Sequence, residues 1–163
     1  MTAWGSGVCC YILAMSRLLL AVCALSLLLA SAAAAAPQTK WIAAPNGGIY
    51  YYKLPAGYHQ IARVHLAGFT EPTAVERGKV RFTVAERFYG DNVSSRLVKK
   101  LFPTAQIIPS PKLWDVSFRA FRLKDGRLGY LFTVSPYQIV VLCRGASTQA
   151  CRTFTLSIQT AVA

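Results

Sequence analysis

The chain has 163 residues, with 18 Lys and Arg against six Asp and Glu and a formal net charge of +12. This length is enough for one domain with its own core and too short for two ordinary ones. It excludes a large multidomain enzyme and a repeat array, and the apolar fraction of 54% excludes an intrinsically disordered chain.

The N-terminal segment has the pattern of an export signal. Residues 1–36 contain one charged side chain, Arg17, which precedes the apolar run Leu18–Ala30 and a segment of small residues. A positive residue, an apolar core and an Ala-x-Ala exit are typical of a secretory signal peptide. A retained transmembrane anchor over Leu18–Ala36 is the alternative.

We therefore predict that residues 1–34 are a signal peptide, with Met15 as a possible true start, and that residues 35–163 form a single α+β domain. The protein is then exported, to the periplasm or the cell exterior. Removal of the leader leaves 17 cations and six acids, a net charge of +11.

Two cysteines remain in the exported part, Cys143 and Cys151, with seven turn-compatible residues between them. An even pair in an exported chain indicates a structural disulfide. Closing so short a loop contributes about 2–3 kcal/mol on the chain-entropy model. A redox-active pair, which usually has closer spacing, and two reduced thiols are the alternatives.

The first part of the domain contains three predicted strands, Ile49–Leu54, Ile61–Leu66 and Lys79–Val84. The last of these alternates polar and apolar residues. We interpret Pro37–Gly48 as an entry segment and Gly68–Gly78 as a polar connection.

An amphipathic helix follows, with Asp91 as its predicted N-cap and Pro103 as its stop. Its apolar face consists of Val93, Leu97, Val98, Leu101 and Phe102, and the opposite face carries Arg96, Lys99 and Lys100.

The rest of the chain is predicted to be mostly strand: Leu113–Leu123, an Asp125-Gly126 hairpin turn, Leu128–Val134, a Ser135-Pro136 turn and Tyr137–Cys143. The final segment, Cys151–Gln159, alternates like a strand, although Phe154 and Ile158 lie four residues apart as in a closing helix. The predicted class is α+β: a twisted, mainly antiparallel sheet of six to seven strands with one amphipathic helix packed on it, and with a second, C-terminal helix as the alternative for the final segment.

The order of these elements resembles the PsbP/Mog1/DcrB-like domains. Tyr50–Tyr58 (Tyr-Tyr-Tyr-Lys-Leu-Pro-Ala-Gly-Tyr) is similar to their opening strand and Pro-x-Gly-aromatic turn. The helix after the third strand, the Gly126–Cys143 hairpin and the final segment are also similar in order. The resemblance implies an exported accessory or assembly protein without an active site, and it favours a helix at the C-terminus. The chain departs from the pattern by its cysteine pair and its basicity.

Candidate catalytic or metal-binding residues are few. His59 and His65 have no accompanying carboxylate or thiol, so we interpret them as ordinary surface or sheet histidines. Glu86 and Asp115 lie in predicted strands and are the best candidates for a paired-carboxylate site, but Arg87 and Arg119 offer simple ion pairs. No nucleophile motif and no phosphate-binding loop is present. We predict no catalytic residue, no metal and no cofactor.

The basic surplus is the strongest functional signal, because it attracts anionic polymers, surfaces and acidic partners. It predicts an exported, non-catalytic binding or accessory protein of the inhibitor, immunity or envelope-assembly type, whose partner is a protein or an anionic envelope component. Arg96, Lys99 and Lys100 are the candidate binding residues. Nucleic acid is not expected, and membrane contact is expected only through the leader or peripheral charge. A small secreted hydrolase with an unrecognised carboxylate site is the alternative.

Aromatic residues cluster near the start of the domain: Trp41, Tyr50, Tyr51, Tyr52 and Tyr58. They are suited to line a ligand groove, and a sheet core uses the same residue types. We expect at least alternate members of the run to be core residues.

Cleavage of the leader is directly measurable. Protein recovered from the exported fraction should have an intact mass that lacks residues 1 to about 34. A mass that still includes Leu18–Ala30 would instead indicate a retained anchor.

Overall fold

The computed structural model describes residues 40–88, 92–110 and 118–160, which belong to one compact unit, Thr39–Ala163. The predicted signal peptide, the predicted N-cap Asp91 and the first half of the predicted strand Leu113–Leu123 lie outside the described residues. Within the described ranges, no helix is long and apolar enough to cross a membrane.

The described residues form ten strands, two α-helices and a 3₁₀ turn at Pro45–Gly47. The strands are β1 (Trp41–Ala43), β2 (Tyr50–Lys53), β3 (His59–Ile61), β4 (Thr70–Arg77), β5 (Val80–Phe88), β6 (Gln106–Ile108), β7 (Phe118–Arg122), β8 (Leu128–Val134), β9 (Tyr137–Arg144) and β10 (Gln159–Thr160). The helices are α1 (Ser95–Leu101) and α2 (Thr148–Leu156).

All the strand pairs are antiparallel. In the described part of the chain, one sheet has seven strands in the order β3-β4-β5-β9-β8-β7-β6, and a second has three in the order β1-β2-β10. The predicted α+β class with a mainly antiparallel sheet is therefore confirmed. The division into two sheets was not predicted: β2, expected in the main sheet, pairs instead with β1 and β10.

Two predictions for the first half were wrong. The segment Gly68–Gly78 is not a polar connection, because Thr70–Arg77 forms strand β4. Its Pro72 lies where the register shifts between Thr70 and Thr73, so the missing N–H does not interrupt the regular ladder. The predicted strand at Ile61–Leu66 begins and ends earlier, as β3, and 62–69 is a connection.

The last segment is helix α2, so the closing helix that the sequence left open is confirmed and the strand alternative over Cys151–Gln159 is not. Ser147 caps the helix by accepting a hydrogen bond from the Ala150 N–H on its side-chain oxygen. Thr155, which favours a strand by propensity, donates its hydroxyl to the Cys151 carbonyl one turn earlier. The apolar spacing of Cys151, Phe154 and Ile158 is helical, and all three are buried.

The seven-stranded sheet is apolar on both faces. On β5, Phe82 and Val84 belong to one core cluster and Ala85 belongs to the other, as the alternation of a strand requires. Helix α1 covers the second cluster with Val98 and its neighbours. The three-stranded sheet and α2 cover the first cluster, to which Ile42, Tyr50, Tyr52, Cys151 and Phe154 contribute.

A chain of buried hydroxyls joins the two sheets. The Tyr50 hydroxyl donates to the Val84 carbonyl at 3.0 Å and lies 3.0 Å from Thr73 Oγ1, which is also 3.1 Å from the Tyr52 hydroxyl. Because each hydroxyl has one proton, Tyr52 donates to Thr73 and Thr73 donates to Tyr50. A single threonine on β4 therefore satisfies both tyrosines of β2.

Burial of these phenols raises the pKa of Tyr52 to about 12, although the hydrogen bond with Thr73 opposes the shift. The pKa of Tyr50 is raised further by the same cause. The folded state therefore keeps protons that the unfolded chain loses above about pH 10. Stability from these groups is fully present below that pH and is lost as the pH rises through the folded-state values.

Replacement of Thr73 tests the hydroxyl chain. The Thr73→Val variant leaves the Tyr52 hydroxyl without its acceptor and Tyr50 without its donor, so the free energy of unfolding should fall by about 1–3 kcal/mol in urea titrations. The matched control is Thr133→Val, since Thr133 Oγ1 is buried without a hydrogen-bond partner among the described residues. The control should be neutral or stabilising, and an equal loss in both variants would contradict the assignment.

Candidate functional site

An open groove with a volume of about 420 Å³ lies between the turn after β2 and helix α2. We call it the aromatic groove. Its walls are mostly apolar and come from the β2–β3 connection, strand β5 and one side of α2: Lys53, Pro55, Tyr58, Phe82, Ala150, Thr153, Phe154 and Ser157.

Stacked rings form the apolar wall of this groove. The ring centres of Phe82 and Phe154 are 4.3 Å apart with nearly parallel planes, and Tyr58 stacks on Phe82 at 5.4 Å. Tyr52 meets Phe154 edge to face at 5.1 Å. Each such contact contributes about 0.5–1.5 kcal/mol beyond simple burial. The wall is therefore a set of mutually supporting rings.

A disulfide fixes the helix that carries Phe154. Cys143 and Cys151 are bonded, with their Cα atoms 5.8 Å apart, as the sequence predicts. Cys143 is the ladder partner of Phe82 across β5 and β9, and Phe154 follows Cys151 by three residues in α2. The bond and the Phe82–Phe154 stack therefore close a ring of contacts that connects the sheet to the helix.

The connection from β9 to α2 requires a glycine. Gly145 has φ of +68°, and a Cβ built there would lie 2.5 Å from the Lys79 carbonyl oxygen. Both the left-handed backbone and the close approach exclude a side chain. This turn brings Ser147 into position to cap α2 immediately after the strand ends.

The charged groups around the aromatic groove are cationic. Lys53 lines it, and the Lys53 Nζ lies 5.3 Å from the centre of the Trp41 ring. The guanidinium carbon of Arg77 lies 5.2 Å from the centre of the Tyr58 ring, a distance at which cation–π attraction operates. No acidic residue is among the described residues that line the groove.

The predicted binding residues Arg96, Lys99 and Lys100 lie exposed on α1, and we call them the basic helix face. Val98, buried completely, and Phe102 pack on the other side of the helix. Their spacing of three and four residues places the cations on one side of the helix. None of the ion pairs found between described residues includes them.

The two histidines lie apart from any cluster of three or more potential metal ligands, since none occurs in the described part of the chain. His59 Nε2 lies 3.4 Å from Glu76 Oε1 across the β3–β4 ladder, and His65 is exposed in the following connection. Arg81 donates two hydrogen bonds to Glu76, which lowers the pKa of that carboxyl.

The carboxylate candidate Glu86 is buried, and its Oε2 accepts a hydrogen bond from the Ile49 N–H at 2.8 Å. Its proposed partner Asp115 lies outside the described residues. Glu86 therefore has a structural role, because its carboxylate binds the backbone N–H of the residue immediately before β2.

The predicted aromatic cluster divides between core and surface. Tyr50 and Tyr52 are buried, which confirms the expected alternation, whereas Trp41 is 43% exposed and Tyr58 lines the groove. Sequence reasoning missed Phe82 and Phe154 as groove residues. The helical spacing of Cys151, Phe154 and Ile158, with the disulfide one turn before Phe154, is the sequence signal that could have identified Phe154.

Comparison with known proteins identifies the fold. The solution structure of cyanobacterial PsbP (CyanoP) from Synechocystis sp. PCC 6803 matches with a TM-score of 0.54 and 12% sequence identity, over 78% of this chain and 95% of that chain. No protein-family model matches the chain, and neither does any curated protein. The predicted resemblance is thus confirmed at the level of architecture: the chain has a PsbP-like fold.

Proposed function

We propose that this chain is an exported, non-catalytic binding or accessory protein that docks on an anionic partner. The observation that carries the proposal is the basic helix face: three exposed cations on one short helix, outside every ion pair found between described residues, in a chain of net charge +12. The positive electrostatic field of these charges raises the local concentration of anionic partners and speeds their association.

Other features agree with export and with an accessory role. The Cys143–Cys151 bond fits an oxidising compartment. The PsbP-like fold supports the accessory or assembly role that the sequence resemblance implies. Residues 1–34 are the proposed export signal.

The basic helix face also has a structural use that the test must separate from binding. Lys99 and Lys100 lie in the last turn of α1, where cations interact favourably with the helix dipole by about 0.3–1 kcal/mol. Binding is therefore compared between variants whose melting temperatures are measured in parallel.

The test measures binding to heparin and to anionic against neutral lipid vesicles, from low to high salt. Exposed ion pairs contribute about 0.2–1 kcal/mol each, so Arg96→Gln, Lys99→Gln and Lys100→Gln together should weaken binding roughly threefold or more. Binding of the unchanged protein should fall as salt rises, because the screening length is then only a few ångströms.

The matched control removes three exposed cations elsewhere, through Lys40→Gln, Arg63→Gln and Lys79→Gln. Equal losses in both triple variants would mean that net charge alone attracts anions and that the helix is not a site. Turnover of substrate by the purified protein in an activity screen would favour the hydrolase alternative instead.

A further inference from the structure

We propose that the aromatic groove is the docking site for an acidic segment of a partner protein, anchored by an aromatic side chain of that segment. This inference deepens the proposed function and rests on it, because it names the anionic partner as a protein. It adds a contact of a different kind, since the groove supplies apolar surface that the basic helix face lacks.

The walls of the groove favour an aromatic anchor. Tyr58, Pro55 and Ala150 supply the more accessible apolar surface of the groove, and Phe82 and Phe154 line it although only 4% and 5% of their surfaces are exposed. Aromatic rings pack against such walls in offset or edge-to-face geometry and gain beyond simple burial. Interface anchors are enriched in aromatic residues for this reason.

The openness of the groove favours a side chain that a protein presents over a free small molecule. Small-molecule sites bury most of the ligand surface, which an open cleft on the surface does not do. A side chain carried by a partner does not need this enclosure, because the rest of the partner covers the remaining face.

The charges at the rim define the flanking residues of the partner. Lys53 lines the groove and Arg77 lies beside Tyr58, while no acid is found among the described lining residues. Carboxylates next to the anchor therefore meet cations without meeting a like charge. Arg77 lies on the same sheet face as Phe82, since both fall on the alternation that includes Val75.

The groove is also pre-organised. The Cys143–Cys151 bond and the Phe82–Phe154 stack hold α2 against the sheet before any partner arrives. Binding to a rigid site avoids the free energy of ordering its walls.

The probe is the capped hexapeptide Asp-Glu-Phe-Phe-Asp-Glu, added to the ¹⁵N-labelled protein purified from the exported fraction. Two comparison probes separate the contributions: Asp-Glu-Ala-Ala-Asp-Glu retains the charge without the anchor, and phenylacetate supplies a free aromatic anion. We expect shifts at the amides of Tyr58, Ala150 and Thr153, and roughly tenfold tighter binding of the Phe peptide than of either comparison probe.

Two surface variants locate the contact without disturbing the core. Ala150 is an exposed residue of α2 that lines the groove, so Ala150→Trp should fill the groove and weaken the Phe peptide roughly tenfold. The neighbouring exposed residue Gln149 does not line it, and Gln149→Trp should leave binding unchanged. The Lys53→Gln, Arg77→Gln double variant should weaken the acidic Phe peptide severalfold.

Several results would overturn the groove proposal: no binding of the Phe peptide at millimolar concentration, equal binding of the Ala peptide, or equal effects of the two Trp variants. Binding of phenylacetate as tight as that of the Phe peptide would assign the groove to a small molecule. Heparin binding through the basic helix face is measured in a separate experiment. If the unchanged protein shows no salt-dependent heparin binding, the proposed function fails, whatever the peptide experiment shows about the groove.

Discussion

Helix α2 is held to the seven-stranded sheet twice, by the Cys143–Cys151 bond and by the stack of Phe154 on Phe82. Both attachments start from the same residue pair of the sheet, because Cys143 and Phe82 are ladder partners across β9 and β5. A nine-residue helix is too short to be stable alone in water, so α2 depends on these two attachments together with the contact of Phe154 with Tyr52. The aromatic groove exists only because this helix stays in place.

The same constraint explains how charge and apolar surface are distributed. The central strands β5 and β9 bury residues on both faces, so the described cations lie at or near strand ends, in connections and on the two helices, including Arg152 on α2. Lys53 and Arg77 end strands β2 and β4, and both lie beside rings. Lys53 and Arg77 therefore lie next to the aromatic groove, whereas Arg96, Lys99 and Lys100 lie on the exposed side of α1.

Much of the fold could be predicted from the sequence, where a local pattern was strong. The strands at Leu128–Val134 and Tyr137–Cys143 and the turn at Asp125-Gly126 followed from alternation and turn residues. Helix α1 followed from its apolar stripe, although its observed cap is Ser94. The disulfide followed from the even number of cysteines in residues 35–163.

The errors occurred where tertiary contacts decided the outcome. Pro72 suggested a connection, yet a register shift accommodates it within β4. The alternating threonines near Thr155 favoured a strand, but the side chain of Thr155 is satisfied inside the helix by the Cys151 carbonyl. The groove could not be predicted at all, because Tyr58, Phe82 and Phe154 are brought together by pairings far apart in sequence.

The disulfide and the ring stack act together to keep α2, and with it the groove, in place. Hydrogen exchange of the Cys143→Ser, Cys151→Ser double variant tests this joint action most directly, since exchange reports local opening separately from global unfolding. Because the bond contributes about 2–3 kcal/mol, the protection factors of the amides of 148–158 should fall by about tenfold or more. The protection factors of the amides of 137–142 should fall less. An equal loss in the two segments, or unchanged protection in α2, would contradict the account.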